Sequence, residues 1–254
     1  MGKSRKKRKK RGYFKYILVS IEPMKAYIWR VYSVRIKPLK VIPLGRKWKN
    51  ATERQLYHYF DKILDVFRPI FDKGVRSVLL ISENEDVMEE FEKHMQDHHQ
   101  WVFENENGHP LTLRMAKGAA RDLEQAYGFV ELEETQELEQ KMLAQEADHI
   151  IQKLNKCMMK DNGIIKVTLK EIERIILPRK KHRRTWADYL IMTDEYMDDL
   201  HHKKRNRLNR IIAIAGNKGV KQRIIDAETP GGQRLDEFGG IACFLEIDRR
   251  FEMI

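Results

Sequence analysis

The sequence contains few cysteines and no long apolar run. Cys157 and Cys243 are its only cysteines, and neither has a Cys or His partner at metal-ligand spacing. This argues against a disulfide scaffold or a zinc finger and is typical of a reducing compartment. No apolar run approaches the roughly 20 residues of a membrane-spanning helix, and no apolar segment of a signal peptide follows the charged start. We therefore expect a cytoplasmic protein without a membrane partner.

The motifs of several enzyme classes are also missing. There is no Walker A loop, no GxGxxG and no GxSxG, so nothing predicts an NTPase, a dinucleotide enzyme or a serine hydrolase. His94 and His98 could share one face of a helix, but no carboxylate or cysteine in the sequence completes a familiar zinc ligand set. We therefore expect no metal and no cofactor.

Positive charge is abundant and unevenly distributed. The chain has 49 Lys and Arg against 38 Asp and Glu, a formal net charge of +11. Residues 1–11 carry eight of these positive charges and no acid, which leaves about +3 for the rest. We expect this tail to be disordered when free and to bind a polyanion. The alternatives are a tail that only increases solubility and a patch that binds anionic membranes. The basic residues of the tail are Lys3, Arg5, Lys6, Lys7, Arg8, Lys9, Lys10 and Arg11.

Residues 12–132 are predicted to form a first α/β domain. An apolar, β-branched run followed by two similar runs predicts a meander, and apolar residues at three- and four-residue steps after Thr52 predict an amphipathic helix. The predicted strands are residues 13–21, 25–34, 37–43, 75–82 and 101–103, and the predicted helices are residues 52–73, 85–97 and 113–127.

Residues 133–254 are predicted to form a second α/β domain. A charged stretch leads into a long helix that ends near Leu154, and Thr168 caps a short helix that stops at Pro178. The remaining predicted elements are a strand at 187–192, one helix at 195–215, a strand at 220–226, a helical turn at 235–238 and a strand at 241–247.

Four short motifs in the second half resemble the carboxy-terminal domain of the Pelota and class-one release factor family. They are Tyr189–Asp194, Gly219–Lys221, Pro230–Leu235 and Gly239–Ala242. The resemblance implies an α/β sandwich like that of a small ribosomal protein. More loosely, the strand VRSVLLISEN resembles an element of the family's middle domain, which has a ribonuclease-H-like shape. Together the resemblance covers roughly residues 13–250.

The resemblance implies a ribosome-associated translation factor that is archaeal in style. Family members begin with a domain that reads the codon or the empty decoding site, whereas this chain begins with the basic tail, so we do not expect codon-specific termination. The family also engages a translational GTPase, which makes such a partner an implied one. We expect a non-catalytic factor for ribosome rescue, subunit splitting or dormancy (hibernation) that binds a ribosome or subunit through ribosomal RNA.

A tripeptide that release factors use for catalysis occurs in this sequence, but in a different domain. Release factors use Gly-Gly-Gln on a middle-domain loop, whereas Gly231-Gly232-Gln233 lies in the second domain, where we expect a structural turn. The expected loop position holds Leu44–Asn50, which has no Gln and is more similar to Pelota. We therefore assign no catalytic residue. The alternatives are a peptidyl-tRNA hydrolase that uses Gln233 and a nuclease that uses Glu22 and Glu83.

Two basic loops complete the predicted RNA interface. In the first, Arg46, Lys47 and Lys49 surround Trp48, which could stack on a base or pack beneath the following helix. The second loop contains Arg179, Lys180, Lys181, Arg183 and Arg184. A third cluster at residues 203–210 follows several acids on a helix, so we expect a solvated face there. A module that binds a free structured RNA is a further alternative.

Overall fold

The computed structural model describes residues 12–103, 109–159, 165–177 and 187–245. These residues form two mixed β-sheets with helices on both faces of each, which confirms the predicted α/β class. The strands are Phe14–Ile21 (β1), Lys25–Tyr32 (β2), Arg35–Pro43 (β3), Ser77–Ser82 (β4), Thr112–Lys117 (β5), Ile165–Lys166 (β6), Ala187–Thr193 (β7), Lys221–Ile225 (β8) and Ile241–Leu245 (β9). The helices are Glu53–Phe71 (α1), Glu85–His98 (α2), Leu123–Val130 (α3), Glu133–Met159 (α4), Leu169–Ile176 (α5), Asp194–Asp199 (α6), His202–Asn217 (α7) and Pro230–Asp236 (α8).

The first sheet has the strand order β3-β2-β1-β4-β5. The strands β1, β2 and β3 form the predicted antiparallel meander, while β4 and β5 continue the sheet in parallel with β1. From Tyr16 to Ile21 every residue of β1 is buried, because Ile17 and Val19 join one core layer and Tyr16 and Leu18 join the other. The edge strand β3 is the one that carries exposed residues along most of its length.

The helix α1 begins as the sequence predicts. The Thr52 hydroxyl accepts a hydrogen bond from the Gln55 amide, and the Gln55 side chain accepts one from the Thr52 amide, which makes a capping box. The apolar stripe of α1 then packs on the sheet through buried residues such as Ile63 and Phe67.

Two elements of the first half were predicted wrongly. Residues 101–103 were predicted as a strand, but Gln100–Val102 form a single turn of 3-10 helix. The Arg76 guanidinium donates to the carbonyls of Trp101 and Val102 at 3.3 and 2.7 Å, so a distant side chain satisfies this backbone. Residues 113–127 were predicted as one helix, but their first part is β5, because pairing with β4 overrides the helix propensity of Leu, Met, Ala and Lys.

The second sheet has the order β6-β9-β7-β8, and only β7 and β8 run in parallel. Helices α5, α6 and α7 cover one face, while α4 and α8 cover the other. The single helix predicted over 195–215 is instead divided into α6 and α7. Between them Leu200 is extended, with φ −64° and ψ 132°, and its side chain is buried in the core.

The long helix α4 contacts both sheets. Met142 lies in a core layer of the first sheet, whereas Ile150 and Leu154 lie in a core layer of the second. The division at residues 132 and 133 stays a prediction, because this helix belongs to both cores. None of the helices in the described ranges is long and apolar enough to cross a membrane.

Candidate nucleic-acid interface

The loop between β3 and α1 brings three of the predicted RNA-binding cations together. Backbone hydrogen bonds of 2.8 Å join Leu44 N to Met24 O and Trp48 N to Pro23 O, so the loop is fastened to the β1–β2 turn. Gly45 has φ +86°, a left-handed conformation that other residues rarely adopt. Arg46, Lys47 and Lys49 are all exposed on this short, fastened loop.

The loop's tryptophan plays a different part from its cations. Trp48 is half-buried and packs against the core beneath α1, and the Lys49 ammonium lies 5.6 Å from the centroid of its ring. Of the two interpretations left open by the sequence, the structure favours packing. The loop therefore presents positive charge to solvent while its aromatic ring anchors it.

The other predicted RNA-binding residues lie outside the described ranges. This applies to the tail cations Lys3, Arg5, Lys6, Lys7, Arg8, Lys9, Lys10 and Arg11, and to Arg179, Lys180, Lys181, Arg183 and Arg184. In the third basic cluster, on α7, Arg207 pairs with Glu173 and Arg205 donates to the Asp198 carbonyl. Those two guanidinium groups thus have partners within the protein.

The sequence reasoning missed a longer basic segment, which we call the basic hairpin and define as residues 23–52. It contains no Asp or Glu, a signal that was readable between Glu22 and Glu53. In the structure it forms β2, β3 and the fastened loop. Its cations are Lys25, Arg30, Arg35, Lys37, Lys40, Arg46, Lys47 and Lys49.

The cations of the basic hairpin are not ion-paired. Within the described ranges, none of the eight has a carboxylate partner within 4 Å. Some cations elsewhere do have one, as in Arg121 with Glu22, Lys153 with Asp188 and Arg223 with Glu146. Acids are frequent on other elements, and α2 alone carries six of them with one lysine. The basic hairpin therefore presents positive charge that no acid of its own segment offsets.

The carboxylates considered for a nuclease are held by an arginine. Glu22 is buried, and its two oxygens accept hydrogen bonds from Ser20 Oγ at 2.9 Å and from Arg121 Nε at 2.7 Å. The Glu83 carboxylate accepts from the same guanidinium at 3.2 Å. Because one cation binds both carboxylates, this arrangement is an ion pair rather than a two-metal site.

The Gly-Gly-Gln tripeptide forms the start of α8. A Cβ at Gly232 would lie 2.0 Å from the Asp226 carbonyl oxygen, and one at Gly231 would lie 2.9 Å from the Ala147 Cβ. The glycines therefore permit the close packing of α8 against α4 and the preceding turn. Gln233 is exposed on this helix, and its side-chain amide donates to the Glu228 carbonyl at 3.4 Å.

A histidine cluster joins α1 to α2. The sequence grouped His94 with His98 and offered no carboxylate for them. In the structure the partner is His99 instead, and Asp61 Oδ1 lies 3.1 Å from His94 Nε2 and 2.8 Å from His99 Nε2. The Trp101 indole donates to His99 Nδ1 at 3.3 Å, which places the His99 proton on Nε2. A metal at Nε2 would need the opposite tautomer, so the geometry is that of a hydrogen-bonded cluster. Burial lowers the pKa of His94 despite its bond to Asp61.

A buried ionic network lies where the two sheets meet. Arg223 of β8 donates from Nε to Glu146 Oε2 at 2.8 Å, and its terminal nitrogens donate to the Phe14 and Lys15 carbonyls at 2.7 and 2.6 Å. These bonds connect the second sheet to α4 and to the first strand of the first sheet. A residue of one sheet is therefore fastened to backbone of the other.

The second oxygen of Glu146 completes the network. It accepts from the Arg76 amide at 2.9 Å and from His109 Nε2 at 3.1 Å, while His109 Nδ1 lies 3.0 Å from the Tyr189 hydroxyl. Burial alone would raise the pKa of Glu146, but the Arg223 charge and the His109 hydrogen bond outweigh it and lower this pKa to about 2. Burial lowers the pKa of His109, which keeps its imidazole neutral.

Comparisons with known proteins bear on the fold. No protein-family model matches the chain, and no curated protein sequence does. A model of ribosome-bound archaeal Pelota and ABCE1 matches with 16% identity and a TM-score of 0.51, over 91% of this chain and 61% of that one. Dom34 of S. cerevisiae, a translation termination-like factor interacting with Hbs1, matches with 16% identity and a TM-score of 0.48, over 91% of this chain and 63% of that one. The archaeal termination factor aRF1 matches with 15% identity and a TM-score of 0.32, over 91% and 62% of the two chains.

The match to the archaeal Pelota structure concerns nearly all of this chain. It covers both sheets, while the chain spans about three fifths of the length of that protein. At 16% identity the likeness establishes the fold. The two-domain α/β fold that the sequence resemblance implied is confirmed, and the chain is structurally similar to Pelota.

Proposed function

We propose that this protein is a ribosome-associated translation factor that acts by occupying a binding site and turns over no substrate. The observation that carries the proposal is the fold shared with archaeal Pelota in a model of ribosome-bound Pelota and ABCE1. The fastened loop supports it, because Arg46, Lys47 and Lys49 are exposed and have no carboxylate partner in the described ranges. Such cations bind RNA phosphates and release their counterions.

The proposed interface has three parts. The loop at residues 46–49 is the part whose geometry is known, and we assign the same role to the tail at residues 1–11 and to the basic residues of 179–184. Phosphate contacts of this kind give strong, salt-dependent binding without sequence preference. Occupancy of a tRNA or factor site would then lead to rescue, subunit splitting or dormancy. A translational GTPase is a proposed partner, as the family resemblance implies.

The enzymatic alternatives find little support in the geometry. Gln233 belongs to a helix whose glycines are packed against α4 and the preceding turn, whereas ester hydrolysis needs a loop that can reach the reacting bond. Glu22 and Glu83 share Arg121, whose positive charge lies between the two carboxylates and contacts one oxygen of each, where metal ions would have to bind. We therefore propose binding, with no catalytic residue and no cofactor.

The proposal is tested by sedimentation with archaeal ribosomes and isolated subunits at about 50 and 300 mM salt. We expect the full chain to co-sediment at low salt and to dissociate at high salt. A loop variant with Arg46, Lys47 and Lys49 changed to Gln should bind less tightly. The matched control changes Lys93, Lys141 and Lys156 to Gln, which removes the same charge from other surfaces. A chain that stays at the top of the low-salt gradient would contradict the proposal.

The same gradients distinguish the three outcomes. Subunit splitting would deplete the peak of joined ribosomes, whereas dormancy would leave that peak intact with the protein bound to it. Rescue would release peptidyl-tRNA from ribosomes stalled on a truncated message. Ester cleavage by the purified protein without ribosomes would instead favour the hydrolase alternative.

A further inference from the structure

We propose that the outer edge of the first sheet, formed by β3 and by Arg30 of β2, is a second RNA-phosphate contact surface that continues the loop at residues 46–49. This inference deepens the proposed function and rests on it for the identity of the RNA. It concerns residues that neither the sequence motifs nor the comparisons single out.

The strand β3 presents cations along an open edge. It is the outermost strand of its sheet in the described ranges, and Arg35, Lys37 and Lys40 on it are exposed. Lysines and prolines on edge strands also prevent sheets from pairing with one another, and β3 contains Pro38 and Pro43. Edge protection therefore gives an alternative reason for lysines on this strand.

Edge protection does not explain the pairing between β2 and β3. Arg30 lies directly opposite Lys37 in the antiparallel register, although β2 is an interior strand. Like charges at opposed positions destabilise a sheet. Within the described ranges no carboxylate neutralises either of them. This pair of cations therefore lacks a counter-charge at a position where one neutral residue would make the sheet more stable.

The Arg30 guanidinium also has an unmet hydrogen bond. Its Nε is buried and has no acceptor among the described residues, and its side chain is only half-buried. A buried donor without an acceptor costs free energy, so this arginine is not placed there by a hydrogen bond of its Nε within the described residues. Arginine also presents terminal donors in a planar fork that suits phosphate oxygens. A phosphate at the exposed part of the side chain would supply the missing counter-charge.

The cations of the edge are continuous with the fastened loop. The Arg35 guanidinium lies 5.5 Å from the centroid of the Tyr32 ring, which positions it at one end of β3. The other end of β3 leads directly into the loop of Arg46. At about 3.3 Å per residue, the nine residues of β3 span about 30 Å. A row of charges of this length fits an extended phosphate backbone.

Binding to a short RNA tests the surface. The probe is a fluorescein-labelled 20-nucleotide RNA hairpin, and its anisotropy is followed as salt is raised. The edge variant changes Arg35, Lys37 and Lys40 to Gln in the full chain. The control variant changes Lys93, Lys141 and Lys156 to Gln, so both variants lose three charges.

We expect the edge variant to lose at least about tenfold in affinity at 0.1 M salt, and its log–log salt slope to fall by about two to three. The control variant should stay within about twofold of the original protein. Equal losses in both variants would mean that only net charge matters and would overturn the proposal. An unchanged affinity and slope in the edge variant would also overturn it.

Arg30 provides a test that separates binding from stability. Arg30→Met should weaken RNA binding several-fold while the melting temperature stays the same or rises, because the opposed charges are removed. A structural arginine would show the reverse, namely a lower melting temperature with unchanged RNA affinity. Arg30→Lys keeps the charge and should recover part of the affinity.

Two further measurements distinguish this inference from its alternatives. Vesicles containing anionic phosphatidylserine measure membrane binding. If the edge variant loses vesicle binding but keeps its RNA affinity, the RNA assignment is overturned. In ribosome sedimentation, equal binding by the edge variant and the original protein would refute only this inference. Failure of the original protein to sediment with ribosomes would refute the proposed function, whatever the result with the labelled RNA.

Discussion

The junction between the two sheets gives the sharpest test of how this fold is held together. Arg223 donates four hydrogen bonds, two to Glu146 and one each to the Phe14 and Lys15 carbonyls, and both charged side chains are buried. Arg223→Met keeps a similar apolar length but removes every one of these bonds. The change leaves the Glu146 carboxylate buried without its cation.

The burial of both charges sets the magnitude. Removing one partner of a buried ion pair costs about 3–5 kcal/mol of unfolding free energy. The direction is consistent with the pKa of Glu146, which the Arg223 charge and the His109 hydrogen bond lower although burial alone would raise it.

The pH dependence has a definite sign. A carboxyl group whose pKa is lowered by folding contributes its full stabilisation above its unfolded pKa, so the contribution of Glu146 is complete above about pH 4.5 and is lost as the pH falls towards 2. The difference in stability between the original protein and Glu146→Gln should therefore shrink over this window.

Urea unfolding followed by far-UV circular dichroism measures these effects. The matched control is Arg207→Met, because Arg207 pairs with Glu173 at a partly exposed site where ion pairs contribute less than about 1 kcal/mol. A loss at Arg223→Met no larger than the loss at Arg207→Met would refute the reasoning. A double variant, Arg223→Met with Glu146→Leu, should recover part of the stability, because no buried charge is then left unpaired.

Three further predictions follow from the described geometry. Gly232→Ala should lower the free energy of unfolding by more than about 2 kcal/mol, because the new Cβ would meet the Asp226 carbonyl. Gln233→Ala should change it by less than about 0.5 kcal/mol. Urea unfolding of both variants tests whether the tripeptide is structural. Thr52→Ala should cost about 1 kcal/mol in the same assay, because the capping box of α1 is lost, and an unchanged midpoint would contradict its role. One equivalent of Zn²⁺ should leave the melting temperature unchanged, because Trp101 holds His99 in the tautomer with its proton on Nε2. A rise of several degrees would show a metal site instead.

The accuracy of the sequence prediction follows the strength of the local signals. The meander and α1 were predicted because β-branched runs and a three- and four-residue apolar repeat are unambiguous. The strand β5 was missed because its residues favour helices and only its pairing with β4 makes it extended. The turn at Gln100–Val102 depends on Arg76, a residue some 25 positions away that no local pattern reveals.

The candidate site was predictable in charge but not in geometry. The loop cations were identified from the sequence, and the acid-free hairpin could have been. The opposition of Arg30 and Lys37 could not, because it depends on a register that includes an irregularity near Ile28 and Trp29. Similarly, Asp61 joins His94 and His99 only when α1 packs beside α2.

The basic hairpin combines an acid-free composition with a like-charge pair inside its sheet. At 38 acidic residues in 254, a segment of 30 residues would carry about four or five, yet residues 23–52 carry none. Edge protection accounts for lysines on β3 but not for the opposition of Arg30 and Lys37, because a single acid opposite Arg30 would neutralise a repulsion within the sheet. The proposed contact with RNA phosphate would account for this pair, because a polyanion gains from every unpaired cation. An acid introduced opposite Arg30 should therefore stabilise the free protein and, under this proposal, weaken its binding to RNA.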